Sequence, residues 1–208
     1  AFGRDGVRLI ERMVANVVFA LENLEREAWR RESEKHIEFL ATHDALTGLP
    51  NRVLFADRLQ QNMAQARRQG YQLAVIYIDL DQFKPVNDAF GHDAGDGLLV
   101  EVARRMRSTL REEDSLARLG GDEFAAIIVN VPDAATLNVL LSRLLTVIAE
   151  PVWVANHSVE VSASMGYTLY PQGEEIDGDQ LLRQADQAMY RAKREGKNRY
   201  YCFQDADA

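Results

Sequence analysis

Asp79, Leu80 and Asp81 close an apolar run that begins at Leu73. On a strand, residues i and i+2 point to the same face, so the two carboxylates are candidate neighbours. They have no basic neighbour within the run, and a cation would relieve their repulsion. A second acidic pair, Asp122 and Glu123, follows Gly120 and Gly121. If that turn lies beside the first strand, three or four carboxylates converge at one sheet end. Oxygen ligands of this kind suit Mg²⁺, which shares its shell with water and phosphates. Metals held this way activate an attacking oxygen and stabilise a leaving one. A solvated acidic turn is the competing reading for Asp79 and Asp81 alone. The added GGDE turn favours the metal.

The stretch after the strand, Phe83 to Asp96, carries Lys84, Asn87, His92 and Asp96, with Gly91 and Gly95 between them. A lysine beside acidic metal ligands suits a triphosphate, because it neutralises charge left after the metal binds. Asn87 and Asp96 together match a guanine edge. A carboxylate accepts from N1–H and the 2-amino group, and an amide donates to a ring acceptor. Adenine would want a donor where Asp96 stands. A lone histidine such as His92 is more often structural.

The elements that must position these residues are legible from period and punctuation. Gly48, Pro50 and Asn51 mark a turn, with Asn51 as a helix N-cap. Phe55, Leu59, Met63 and Ala66 form a helical stripe that stops near Gly70. Leu73 to Ile78 reads as a strand buried on both faces. Leu98, Val102, Met106 and Leu110 mark the next helix. Ser115–Leu119 and Phe124–Val129 read as a hairpin around GGDE. Leu137, Leu140, Leu141, Leu144 and Ile148 mark another helix. Val159, Val161, Ala163, Met165, Tyr167 and Leu169 alternate, which predicts a strand with one buried face. Leu181, Ala185, Met189 and Ala192 mark the last helix, and Arg199 to Phe203 a final strand. This interleaving predicts an α/β fold with a central mixed sheet flanked by helices.

Before this region the pattern changes. Val7, Ile10, Val14, Val17, Leu21 and Leu24 form a heptad seam that Ala28 extends. Residues 25–38 are dominated by Glu, Arg and Lys, with i, i+4 pairs such as Glu27/Arg31 and Arg30/Glu34. We expect residues 1–40 to be a helical, coiled-coil-forming stalk and residues 41–208 a catalytic domain. An amphipathic helix packed on its own domain is the alternative. The abrupt start at Ala1, without Met, suggests an excised piece of a larger protein.

The 208 residues carry 24 Lys and Arg against 32 Asp and Glu, a net charge of −8. Such a chain is a poor binder of nucleic-acid polymers, which require a basic footprint. No segment approaches the roughly 20 apolar residues of a membrane span. The single cysteine, Cys202, excludes an internal disulfide and fits a reducing cytoplasm.

Four blocks in order resemble the GGDEF family of diguanylate cyclases: HDALTGLPNR from His43, DLDQFKPVNDAFGHDAGD from Asp79, RLGGDEF from Arg118, and ADQAMYRAKREGKNRY from Ala185. The resemblance covers Leu40 to Phe203. It implies the palm-like nucleotidyl-cyclase fold and the conversion of two GTP into cyclic di-GMP and two pyrophosphates. Mg²⁺, with Mn²⁺ as the alternative, would sit on Asp79, Asp122 and the Leu80 carbonyl. Either Asp122 or Glu123 would take the proton from the attacking 3′-hydroxyl. Asn87, His92 and Asp96 would form the guanine pocket, Lys84 would stabilise the transferring phosphate, and Lys193 would bind the terminal phosphates. Lys197 stands where many members carry Arg, and Arg118 would support the site. Arg111 and Asp114 match the family's inhibitory RxxD product site, to which Arg143 would add a contact. One domain holds one GTP, so a homodimer is implied, and the stalk would raise the local concentration of the second domain. Residues 1–27 also loosely resemble the closing helix of a GAF-type sensor. The competing reading is a domain that binds GTP or cyclic di-GMP without turnover and regulates a neighbour. A cyclase that also accepts ATP is disfavoured by Asp96.

Overall fold

The computed structural model describes residues 39–154 and 157–204 continuously, together with residues 13, 26, 27, 29, 30, 32 and 37. The chain divides into two units, Ala1–Ala41 and Thr42–Ala208. In the first, the described residues are helical and exposed, Trp29 among them. The heptad seam and the GAF-like stretch lie outside the described residues, apart from isolated positions.

The second unit runs α1 (Arg52–Gln69), β1 (Gln72–Asp81), α2 (Phe83–Phe90), α3 (His92–Thr109), β2 (Ser115–Gly120), β3 (Glu123–Val131), α4 (Ala134–Ala149), β4 (Val152–Val154), β5 (His157–Val159), β6 (Ser162–Tyr170), α5 (Gly178–Arg194) and β7 (Arg199–Cys202). The main sheet has the order β2-β3-β1-β6-β7. Its first four strands are antiparallel neighbours, and β6 and β7 are parallel. The sheet is therefore mixed, as the element pattern predicts.

Central β1 alternates its side chains between two cores. Ala74, Ile76, Ile78 and Leu80 pack with Leu98, Val102 and Met106 of α3 and with Leu141 and Leu144 of α4. Leu73, Val75 and Tyr77 pack with Phe55, Leu59 and Met63 of α1 and with Leu181, Ala185 and Met189 of α5. Both faces are covered, which is why β1 reads as a continuous apolar run.

Local signals set the ends of these helices. Asn51 accepts from the backbone N–H groups of Val53 and Leu54, and Gly70 ends α1 in the left-handed region. A capping box joins Asp177 and Gln180 at the start of α5. The block after β1 forms two helices, and the second begins at His92, six residues before the apolar stripe that announced it. The β4–β5 hairpin forms a separate two-stranded sheet. Its His157 ring lies 4.9 Å from that of Phe90, at the end of α2.

One expectation fails at β6. Alternation predicts a strand with one buried face, but nearly every residue of β6 is buried. Ala163, Met165 and Tyr167 face the α3–α4 side, as expected. On the other side Ser164, Gly166 and Thr168 are small and lie beneath α5. A Cβ at Gly166 would overlap Met189 N and Ala185 O. Small residues here mark a close helix approach, which alternation alone does not distinguish from solvent exposure. Thr168 donates to Gln184 Oε1 of α5 at 2.7 Å, which closes the layer.

Gly166→Ala must therefore push α5 off the sheet. Overpacking of this kind costs about 3 kcal/mol. Urea denaturation should show a markedly lower midpoint, and an unchanged midpoint would contradict the close packing.

Candidate active site

β1 and β3 pair antiparallel so that Asp79 lies opposite Glu123. The Leu80 N–H donates to the Asp122 carbonyl at 3.2 Å. The GGDE turn is thus fastened to the acidic end of the central strand. Gly120 and Gly121 adopt φ of 145° and 53°, conformations that favour glycine. From the opposite layer, α5 brings Lys193, whose Nζ lies 2.7 Å from Asp79 Oδ2. The carboxylate that sequence leaves without a basic neighbour has one in space.

Of the four carboxylates expected to converge, Asp79, Asp122 and Glu123 lie close enough for the charges of the last two to act on the first, and Asp81 is directed elsewhere. Among the described residues, no group of three or more His, Cys, Asp or Glu side chains is placed to hold a metal ion. Asp81 accounts for part of the difference. It is buried, and its carboxylate accepts from Ser162 Oγ at 2.7 Å, Ser164 Oγ at 2.8 Å and the Asn198 backbone N–H at 3.2 Å. Those bonds commit Asp81 to the sheet and to the turn after α5. Asp79, Asp122 and the Leu80 carbonyl leave a small oxygen set. It suits Mg²⁺, which is commonly held by one or two carboxylates with substrate phosphates and water completing the shell.

Burial pushes the Asp79 carboxyl up to about 6; Lys193 opposes this, while the charges of Asp122 and Glu123 add to it. Two further groups belong here that sequence reasoning passed over. Burial raises the pKa of the Tyr77 hydroxyl, and the nearby Glu123 carboxylate adds to the rise. Asp186 on α5 is raised by desolvation and by Glu123, against Lys193. Tyr77 was hidden inside an apolar run. Asp186 sits within the last of the four quoted blocks, seven residues before Lys193, two helical turns along the same face.

The GGDE turn is held from its outer side as well. Arg118 Nε donates to the Gly121 carbonyl at 2.9 Å, and Arg118 Nη1 contacts both Asp44 oxygens at 3.0 and 3.1 Å. Asp44 also accepts from Thr47 N at 2.8 Å and Thr47 Oγ1 at 2.7 Å. Burial alone would raise the Asp44 carboxyl, but the Thr47 and Arg118 donors outweigh it and hold it below its ordinary value. The HDALTGLPNR block is therefore a brace for the hairpin.

On the other side, α2 and α3 meet at Gly91 and carry Asn87, His92 and Asp96. Asn87 Oδ1 is buried and has no hydrogen-bond partner. A Cβ at Gly95 would overlap that same oxygen, so Gly95 makes the space in which the amide sits. His92 and Asp96 are exposed in the first turns of α3, and Lys84 is exposed at the start of α2, just past the acidic end of β1. Lys197 is exposed in the turn after α5, at a left-handed φ of 61°.

Arg111 and Asp114 line a separate cavity of about 230 Å³. Its walls include Thr136 and Leu140 of α4, and Arg143 lines it too. Arg111 is exposed, but Asp114 is 3% exposed. Asp114 accepts from Arg111 N at 3.0 Å and from Val129 N at 3.2 Å, so it organises the loop that presents Arg111.

The Asp79–Lys193 pair yields a pH test. In the folded chain Asp79 titrates near 6 against an ordinary 3.8, so the native state keeps a proton longer than the unfolded one. Its contribution to stability falls as pH rises between those values. Lys193→Met should move the Asp79 midpoint above about 6, read by carbon-detected carboxyl titration in NMR. A midpoint that stays put or falls would contradict the pairing.

Comparison with known proteins places this geometry. The model of the family described as "Diguanylate cyclase, GGDEF domain" matches residues 41–199. The chain is 46% identical over 167 residues to MucR of Pseudomonas aeruginosa, a bifunctional diguanylate cyclase/cyclic di-GMP phosphodiesterase, covering 80% of this chain and 24% of MucR. It thus spans about a quarter of that relative's length. An N-terminally truncated form of TpbB (YfiN) from Pseudomonas aeruginosa, comprising only the GGDEF domain, superposes with a TM-score of 0.76 at 39% identity, covering 79% of this chain and 96% of that one. The coiled coil and GGDEF domain of DgcB from Caulobacter crescentus, solved in complex with c-di-GMP, gives a TM-score of 0.74 at 28% identity, covering 92% and 98%. The braced GGDE turn, the acidic strand end it lies against and the helix pair beside them are those of a GGDEF domain, and the chain belongs to the GGDEF family of diguanylate cyclases.

Proposed function

We propose that this chain is a diguanylate cyclase, converting two GTP into cyclic di-GMP and two pyrophosphates across a homodimer. The observation that carries the reading is the orphaned Asn87 Oδ1, which sits in the space left by Gly95, the residue before Asp96. A buried acceptor without a donor is costly, and a ligand that supplies the donor recovers that energy. Guanine offers its 2-amino group to Asn87 and its N1–H to Asp96. Adenine has no N1–H, so Asp96 selects against it. His92 stands at the rim of the same pocket.

The phosphates then extend towards the acidic strand end. Asp79, Asp122 and the Leu80 carbonyl are the groups that would hold Mg²⁺ or Mn²⁺. Such an ion neutralises phosphate charge and favours in-line attack at the α-phosphate. Lys193, which offsets the charge of Asp79, would take terminal phosphate oxygens. Lys84 and Lys197 add positive charge on either side. Asp122 or Glu123 takes the 3′-hydroxyl proton. Glu123 lies near the Tyr77 hydroxyl, whereas Asp122 would also serve the cation. The attacking hydroxyl belongs to a second GTP, held by a second copy of the domain. The stalk supplies that copy.

Arg111 and Asp114 form a feedback site for the product. Arg111 meets phosphate or the guanine Hoogsteen edge as a fork. Asp114 fixes the loop from which Arg111 projects, and Arg143 reaches the same cavity from α4. Because the chain spans a small part of relatives such as MucR, a regulatory role for a neighbouring domain is the alternative; it predicts GTP binding without product.

Asn87→Ala should raise KM for GTP about tenfold with kcat little changed, the cost of losing one buried polar contact. Steady-state kinetics on the folded variant checks this, and an unchanged KM would remove Asn87 from the pocket. Arg111→Ala should raise the cyclic di-GMP concentration that halves activity by about tenfold or more. An unaltered inhibition curve would remove the feedback site from the account.

A further inference from the structure

The turn that follows α5 is unusual in its backbone. Gly196, Lys197 and Asn198 adopt φ of 116°, 61° and 47° in succession. For Lys and Asn, two consecutive left-handed residues are uncommon and persist only where the surroundings over-determine them. Three bonds do so. Lys197 N–H donates to the Ala192 carbonyl at 3.0 Å, and Arg199 Nε donates to the Lys197 carbonyl at 3.0 Å. The third runs from Asn198 N–H to Asp81 Oδ2 at 3.2 Å. Only this last bond ties the turn to the acidic strand end.

Asp81 is suited to that task. It is 3% exposed, so its charge must be satisfied internally. Ser164 Oγ donates to Oδ1 at 2.8 Å and Ser162 Oγ to Oδ2 at 2.7 Å, which fixes the carboxylate plane against β6. Oδ2 then has one lone-pair direction left, and Asn198 N–H takes it. The carboxylate sits two residues from Asp79, which holds Lys193. The strand end therefore fixes both ends of the segment carrying Lys193 and Lys197: Asp79 by an ion pair, Asp81 by a backbone latch.

We propose that Asp81 is a positioning residue for triphosphate binding: its carboxylate latches the Lys197–Asn198 turn so that Lys197 is presented beside Lys193. This rests on the reading that Lys197 meets phosphate. Asp81 acts through the turn and touches no substrate. The serines make the latch rigid, and Oδ2 supplies the bond that joins the left-handed turn to the strand end.

The test is a double-substitution cycle on the 208-residue chain, read by calorimetric binding of a non-hydrolysable GTP analogue with Mg²⁺. Asp81→Asn removes charge, and an amide nitrogen placed at Oδ2 cannot accept from Asn198. Lys197→Ala removes the presented charge. Each should weaken binding about tenfold, and the double variant should be no weaker than either alone. Ser162→Ala, which loosens the carboxylate and keeps its charge, should weaken binding in the same direction by a smaller factor. It also serves if Asp81→Asn does not fold. Equal, non-additive losses support the latch. Full additivity, or unchanged affinity in Asp81→Asn and Ser162→Ala while Lys197→Ala binds weakly, overturns the latch alone. Unchanged affinity in Lys197→Ala overturns the phosphate reading, and the proposal falls with it.

Discussion

The closeness of α5 to the sheet governs what the carboxyl end of β1 can do. Lys193 reaches Asp79 because the helix backbone rests on Gly166, with alanines at 185, 188 and 192 along its buried face. A larger residue in β6 would lift the helix and separate the ion pair. The same approach carries Asp186 towards Glu123. Two small-residue stripes, one on a strand and one on a helix, thus fix the electrostatics of the site through packing.

Around that contact the acidic groups hold different tasks by virtue of their partners. Asp44 and Arg118 brace the hairpin from outside, and Asp81 anchors the turn from inside. Both are carboxylates in well-satisfied hydrogen-bond sets, which are rigid because each oxygen has at least one assigned donor. Asp79 differs. Burial keeps it reluctant to ionise, and Lys193 compensates only in part. The orphaned Asn87 oxygen is likewise a group with unmet demand. The satisfied groups form the frame, and the unsatisfied ones mark where a ligand belongs.

Much of this was legible in the sequence. Helical stripes, the apolar run of β1 and the GGDE hairpin follow from period and from glycine at positive φ. Paired acids at a strand end were visible as a pattern, but their destinations were not. Asp79 and Asp81 share a face in an ideal strand, yet one meets a lysine from α5 and the other two serines of β6. Those partners lie more than 80 residues away, and no local rule finds them. β6 was misread because small residues beneath a helix look like a solvent face. Asp44 lay inside a quoted block without a role, and Tyr77 was concealed as one more apolar residue. In each case the missing information was a tertiary contact.

The central claim is that these groups form a catalytic nucleotide site completed by a second copy. Its most direct test is incubation of the chain, stripped of bound dinucleotide, with Mg²⁺ and GTP, with products resolved by chromatography and mass. The account predicts cyclic di-GMP, formed at a rate that rises faster than linearly with protein concentration, and none from the folded Asp122→Asn variant. GTP binding without product, or equal turnover by that variant, would contradict it.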